Sequence, residues 1–178
     1  MAVMDVDRLV VVTLGLLDRR GLPDLSMRAV ASELGVQPSA LYWHVRSKQE
    51  LLGLVADRIV DGAGEAACLD EQVMALRDAL LAHRDGAELV ASSIALGMGG
   101  GGLRAKLALA AERAGIRQSH RRSVTEALAL VLLGHTQLEQ QRAQAKEIGI
   151  EMGEDGPHPD LDDLVQLVTG SVGRGSET

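Results

Sequence analysis

The side chains best suited to chemistry lie in one short stretch between Gln37 and Lys48. The amide of Gln37 can pair with a base edge, and a small side chain such as Ser39 allows close approach to thymine methyl groups. Tyr42 and His44 can donate hydrogen bonds to phosphate oxygens. Lys48 lies at a predicted helix start, where backbone N–H groups and the helix dipole attract anions. The stretch therefore combines groups that read bases with groups that hold phosphates.

Both aromatic residues of the chain are adjacent and lie in this stretch. Among 178 residues there are one Tyr (Tyr42), one Trp (Trp43) and no Phe. The core must therefore be aliphatic, which argues against aromatic-rich β-sandwiches and against domains that stack bases on aromatic platforms. We expect both rings to be exposed, because a short helix could not bury the two of them. The alternative is that Trp43 packs partly under Arg46 or Lys48.

Charge is distributed unevenly along the chain. The formal net charge is −7, from 18 basic and 25 acidic residues. Residues 1–60 hold seven residues of each sign and are neutral, so the whole excess lies in residues 61–178. The N-terminal third can therefore still meet phosphate, although the chain as a whole is acidic.

Two predicted helices precede and follow a tight turn near the start of the Gln37–Lys48 stretch. Ser26 is a good N-cap for the first helix, whose first turn carries Arg28, and Gly35 suits the left-handed position after its end. Pro38 fits the first turn of the second helix, which is predicted over Ser39–Val45. Two helices joined by a Gly-containing turn form a helix-turn-helix, whose second helix lies in the DNA major groove. The alternative is a helical hairpin with no role in DNA binding.

The rest of the chain also has helical periodicity. A helix is predicted over residues 5–20, and Ser47–Glu50 forms a capping box that opens a long helix ending at Asp61–Gly64. Further helices are predicted at about 70–83, 87–96, 103–114, 120–147 and 160–172. Gly97–Gly102 matches a dinucleotide-binding string, but no strand precedes it, so we interpret it as a hinge or a pocket wall.

These elements predict an all-α fold. We expect a helix-turn-helix, three-helix DNA-binding domain over residues 1–46 and a connecting helix over residues 47–64. A helical ligand-binding and dimerisation domain would follow over residues 65–178. The segment 147–159 is rich in Gly, Pro and acidic residues and is predicted to be a solvated loop. Asp155, His158 and Asp160 are therefore not expected to bind a metal.

The residues Leu34-Gly35-Val36 and the run from Leu41 to Leu52 resemble the DNA-binding domain of the TetR family. Within that family they are especially similar to the tetracycline repressors. The resemblance is strong over residues 5–60 and weak beyond them. It implies an all-helical homodimer whose C-terminal domain binds a small molecule. Binding then moves the connecting helix and spreads the two DNA-reading heads.

The resemblance also implies roles for individual residues. Arg28 matches a base-contacting arginine. The other candidates are the start of the recognition helix (Gln37, Pro38 and Ser39), the phosphate or base contacts (Tyr42, His44 and Lys48) and the neighbouring Trp43. Tetracycline repressors bind the drug and its magnesium through two histidines, which Gly64 and Val90 replace here. We therefore expect an effector other than magnesium–tetracycline.

The C-terminal half gives weaker indications of a ligand site and of a dimer interface. Met98 beside the glycines and His135 in an apolar stretch are candidate ligand contacts, although gap-filling and a core or interface role are the alternatives. A homodimer is expected through helices near 120–147 and 160–172, because one recognition helix buries too little surface for specific binding.

The sequence predicts neither catalytic residues, nor a metal site, nor a cofactor. The partners expected are double-stranded DNA and a small-molecule effector. We expect a cytoplasmic protein, because the single cysteine, Cys68, suits a reducing compartment. We expect no membrane span, since no apolar run approaches roughly 18 residues. Two other functions remain open. One is a constitutive dimeric DNA-binding protein without an effector, and the other is a small helical enzyme.

Overall fold

The computed structural model of the chain describes residues 5–151, 153 and 159–173. Within these ranges every regular element is an α-helix, which confirms the predicted all-α fold. Asp155 and His158, in the predicted loop, lie outside the described residues. The helices are α1 (Val6–Arg20), α2 (Met27–Leu34), α3 (Pro38–Leu41), α4 (Lys48–Gly62), α5 (Leu69–Leu81), α6 (Gly86–Ala95), α7 (Gly101–Arg113), α8 (Gln118–Glu147) and α9 (Leu161–Gly173).

The first three helices form a small unit, here called the head, against the start of α4. Its caps are those that the sequence predicts. The hydroxyl of Ser26 accepts the N–H of Ala29 at 3.2 Å and caps α2. Gly35 takes the left-handed conformation, with φ +67°, and the N–H of Val36 donates to the carbonyl of Ala31 at 3.0 Å. The turn of the helix-turn-helix is thus fixed by local hydrogen bonds.

The predicted extent of the second helix is wrong. The sequence predicts a helix over Ser39–Val45, but α3 is Pro38–Leu41. A turn follows, in which the N–H groups of His44 and Val45 both donate to the carbonyl of Leu41, at 2.9 and 3.1 Å. The chain tightens here because Leu41 and Val45 are both buried in the head, and the next helix must begin shortly after them.

The connecting helix α4 starts at the predicted capping box. The hydroxyl of Ser47 accepts the N–H of Glu50 at 3.1 Å. The Glu50 carboxylate in turn accepts the N–H of Arg46, one residue before the N-cap. Beyond this start α4 buries one face, which carries Leu51, Val55 and Ile59.

Helices α5–α9 form a second unit, here called the body. Its centre is α8, which has 30 residues and is about 45 Å long at 1.5 Å per residue. It packs against α5, α6, α7 and α9. The middle of the body is filled by fully buried leucines from α5, α7 and α8, namely Leu76, Leu103, Leu107, Leu128 and Leu132.

The loop between α6 and α7 is packed against α4. A Cβ on Gly53 in α4 would overlap the carbonyl of Met98, and a Cβ on Gly99 would overlap the carbonyl of Gly53. The N–H of Gly100 donates to the Asp57 carboxylate of α4 at 2.7 Å. The glycine tract thus permits two backbones to touch, which the sequence alone did not indicate.

A second contact joins the head directly to the body through Asp85, in the turn between α5 and α6. Its carboxylate accepts the N–H of Leu22 at 2.7 Å and the side-chain amide of Gln144 at 2.6 Å. Asp85 is buried and has a positive φ of 55°. The gap between the helices predicted at 70–83 and 87–96 contains this turn, but its contact with the chain between α1 and α2 was not predicted.

None of the helices in the described ranges is both long enough and apolar enough to cross a bilayer.

Replacing Gly53 with Ala should lower the free energy of unfolding by on the order of 1–3 kcal/mol, because α4 and the α6–α7 loop must separate to admit the methyl group. Gly62, at the end of the same helix, faces open space. Gly62→Ala is therefore the control and should change stability by less than about 1 kcal/mol. Urea unfolding followed by circular dichroism measures both. Equal midpoints for the two variants would contradict the close contact.

Candidate nucleic-acid interface

The candidate DNA-contacting residues are mostly on the surface of the head. Arg28, in the first turn of α2, is exposed. At the start of α3, Gln37 and Ser39 are exposed, and Pro38 is the first residue of the helix. These side chains therefore lie at the turn of the helix-turn-helix, where a groove could reach them. Their contact with DNA stays a prediction.

The two aromatic side chains project outward from the turn after α3. Leu41 and Val45 on either side of them are 0% and 1% exposed and hold the segment to the head. Between them, Tyr42 is 53% exposed and Trp43 is 88% exposed. The alternative in which Trp43 packs under Arg46 or Lys48 is therefore wrong. An exposed indole and phenol offer apolar faces with polar edges to a binding partner.

The start of α4 is a second polar surface beside the aromatics. Lys48 is its first residue and is half-buried, as is His44 in the preceding turn. Because Ser47 caps only one N–H group of the first turn, other backbone donors there remain available to an anion. Lysine, imidazole and backbone N–H groups are thus placed where a phosphate could bind.

The cations of the head fall into two groups. Arg19 pairs with Glu33 and Arg58 pairs with Asp7, both within 2.8 Å. Arg28, Arg46 and Lys48 form no ion pair within the described part of the chain. Arg20, at the end of α1, forms none either. Three of these four cations thus lie on the helix-turn-helix and the start of α4, which favours contact with a polyanion there.

The two candidate ligand contacts are not brought together. Met98 is half exposed and borders a surface cleft at the α6–α7 loop. His135 lines a different cleft, between α8 and α9, and its Nδ1 is buried without a hydrogen-bond partner. In the described residues no group of three or more His, Cys, Asp and Glu side chains is placed to hold a metal ion.

A larger cleft lies between α7 and α8, with a volume of about 820 Å³. Three of its lining residues are arginines: Arg104, Arg121 and Arg122. Arg104 binds both carboxylate oxygens of Glu126, each at 2.7 Å, and this bonding holds the pKa of the Glu126 carboxyl below its usual range. Sequence reasoning missed this site, although the basic cluster at the start of α8 was its signal.

The N-terminal half of the chain is similar to known regulators. The sequence profile described as "Bacterial regulatory proteins, tetR family" matches residues 9–55, from α1 into α4. The tetracycline repressor protein class E of Escherichia coli is 35% identical over 99 residues, which are 50% of this chain and 47% of that repressor. The match therefore spans about half the length of this curated relative.

Solved structures extend the similarity over the body. BioQ of Mycobacterium smegmatis has a TM-score of 0.83 at 36% identity, and the match covers 96% of this chain and 98% of that chain. A crystal structure of BioQ with its natural double-stranded DNA operator has a TM-score of 0.81 at 34% identity. That match covers 97% of this chain and 99% of the BioQ chain.

Trp43 is the only tryptophan, so its fluorescence reports the exposure of this surface directly. We expect an emission maximum close to that of free tryptophan in water, ready quenching by acrylamide and little red shift on unfolding in urea. The reason is that 88% of the side chain is already in solvent. A blue-shifted, shielded emission in the native protein would contradict the placement of Trp43.

Proposed function

The chain belongs to the tetR family of bacterial regulatory proteins and is a DNA-binding transcriptional regulator, and from that premise we propose that it is a ligand-responsive repressor. In this proposal it binds a pseudo-palindromic operator as a homodimer. A small-molecule effector other than magnesium–tetracycline releases it from the operator.

One observation carries the proposal: the helix-turn-helix exposes base-reading and phosphate-binding groups beside uncompensated cations. Arg28, Gln37 and Ser39 would face base edges, since guanidinium and amide groups can pair with them and small side chains allow close approach. Pro38 would fix the start of the recognition helix. Tyr42, His44 and Lys48, with the neighbouring Trp43, would contact phosphates or bases, and the phosphate contacts would set the register.

The homodimer is supported by apolar side chains that α8 and α9 leave uncovered. Leu130, Leu138 and Leu167 are 63%, 51% and 71% exposed, although all three belong to helices of the body. Joining α8 and α9 to the same helices of a second copy would cover them. Two heads could then face half-sites roughly 34–36 Å apart.

Each helical unit of the chain is assigned its own role. We propose that residues 1–46 bind DNA, that residues 47–64 connect, and that residues 65–178 bind the effector and dimerise. The contacts of α4 with the α6–α7 loop support this division, because they link the connecting helix to the body at Gly53 and Asp57. An effector bound in the body could reach the head through them.

Two positions argue against magnesium–tetracycline as the effector. Val90 replaces a metal-binding histidine of tetracycline repressors, and its side chain is fully buried in the aliphatic core. Gly64 replaces a drug-binding histidine and has no side chain to offer. The chain therefore lacks both donors, which supports a different effector.

A constitutive DNA-binding dimer without an effector is the second candidate. It is favoured by the filled centre of the body, where leucines from three helices are fully buried. An effector would then have to bind in a surface cleft rather than inside the helical bundle. Operator affinity that no small molecule changes would favour this candidate.

Replacing Arg28 with Gln, or Tyr42 with Phe, should weaken binding to a duplex selected from random sequences. We expect a loss of roughly 1–3 kcal/mol for Arg28→Gln, or about 5- to 150-fold in Kd, because a bidentate base contact is lost. Tyr42→Phe should cost about 0.5–1.5 kcal/mol, as one hydrogen bond is removed. Fluorescence anisotropy at fixed salt concentration measures both.

Arg20→Gln is the charge-matched control for Arg28→Gln. Arg20 is exposed at the end of α1 and lies outside the helix-turn-helix, and the next residue, Gly21, lies close to Arg84 and Asp85 of the body. Its removal should leave the Kd within about twofold of the parent value, apart from a small general loss of charge. If Arg28→Gln and Arg20→Gln lose the same affinity, the assignment of Arg28 is wrong.

A further inference from the structure

We propose that the cleft between α7 and α8 binds a small amphipathic anion, with its carboxylate, sulfonate or phosphate group on the arginines of α8. This inference rests on the proposed function, because it names the chemical class of the effector that the regulator would sense. Its residues lie in the body, away from the helix-turn-helix.

The charge of the cleft favours an anion even though the chain as a whole is acidic. Arg104, Arg121 and Arg122 line it together with a single carboxylate, that of Glu126. Arg104 is held by Glu126, and Arg121 is paired with Glu112 at 2.9 Å. Arg122 forms no ion pair with any residue that the structure describes, although its charge helps to lower the pKa of the Glu126 carboxyl. Its guanidinium donors are thus left for a ligand.

Two polar atoms at the cleft are buried without a partner. The Thr125 side chain is only 7% exposed, and its Oγ1 makes no hydrogen bond. The Nε of Arg121, one helical turn earlier on α8, is also buried and unbonded. A buried polar group without a partner costs roughly 1–3 kcal/mol, and native proteins keep few of them. A ligand that reaches the floor of the cleft would satisfy both atoms.

The other wall of the cleft suits an apolar group. Ala105 and Ala108 of α7 line it, and their small side chains leave room beside the aliphatic stems of the arginines. The volume of about 820 Å³ is within the usual range of roughly 300–1,000 Å³ for small-molecule sites. Arginines from both helices, together with this apolar surface on α7, favour an amphipathic anion.

The cleft is connected to the connecting helix α4 through the start of α7. Arg104 is the fourth residue of α7, whose N-cap is Gly100, and the N–H of Gly100 donates to Asp57 of α4. An anion that competes with Glu126 for Arg104 would shift the start of α7 and hence the contact with the connecting helix. Such a ligand changes operator affinity only as far as it binds one arrangement of this contact better than the other.

Anilinonaphthalene sulfonate is a fluorescent amphipathic anion that tests the proposal on the full chain. Its matched control is N-phenylnaphthylamine, which has the same rings without the sulfonate and reports binding to exposed apolar surface such as that of α8 and α9. We expect Arg122→Gln to weaken the sulfonate dye about tenfold, because a charge-assisted contact is lost, and to leave the neutral dye within about twofold.

Two further variants distinguish a loss of dye binding at the cleft from effects on stability or on overall charge. Thr125→Val should also weaken the sulfonate dye severalfold, yet raise the Tm of the unliganded protein by roughly 2–4 °C, because an unsatisfied hydroxyl is removed. Arg113→Gln removes a surface arginine that pairs with Glu65 outside the cleft, and should change neither dye. A merely structural role for Thr125 would move the Tm without moving the affinity.

The proposal is overturned if the sulfonate dye does not bind, or if Arg122→Gln and Thr125→Val bind it as tightly as Arg113→Gln does. It is also overturned if Arg122→Gln weakens both dyes equally. Binding of the same preparations to the selected duplex, without dye, distinguishes failure of the cleft proposal from failure of the proposed function. DNA binding by a parent protein that fails to bind the dye refutes only the cleft, whereas absence of DNA binding refutes the proposed function itself.

Discussion

One buried carboxylate, that of Asp85, links the head directly to the body. It accepts the N–H of Leu22 from the head and the amide of Gln144 from α8, at 2.7 and 2.6 Å, and so joins three parts of the chain in one hydrogen-bonded contact. Its neighbour His83 adds a contact with Asp18 of α1 at 3.1 Å. Burying a carboxylate is costly unless it is fully hydrogen-bonded, so this contact has one favourable geometry. In the proposed dimer, two such heads could match fixed half-sites only if the orientation of each is fixed.

The second constraint is the contact between the backbones of α4 and the α6–α7 loop. Gly53 and Gly99 touch without side chains between them, and Asp57 fixes the next residue through the N–H of Gly100. Such a contact is intolerant of small shifts, since neither backbone has a flexible side chain that could adapt. We therefore expect a change at the start of α7 to reach α4 rather than to be absorbed. In the proposed function, this is where the state of the body would reach the DNA-binding surface.

Capping residues and hydrophobic spacing were enough to predict the helices from sequence. Contacts between residues far apart in the chain could not be predicted in this way. Ser26, Gly35 and Ser47 act on residues three or four positions away, so their capping roles could be predicted from sequence and are confirmed. The end of α3 could not, because it depends on how two buried side chains fit against the rest of the head. The partners of Asp85 and the cleft beside Thr125 join residues far apart in sequence, and a single sequence carries no signal for such pairs. The aromatic pair was easier to place, since an aliphatic head has no room for it.

The central claim is that two copies of this helix-turn-helix read DNA together. Selection of bound duplexes from random DNA by the purified full chain tests it most directly, since neither operator nor effector need be known. The account predicts enrichment of one inverted repeat, with half-site centres about one helical turn, or roughly 34–36 Å, apart. Enrichment of an unrepeated half-site, or no enrichment over the starting pool, would contradict it.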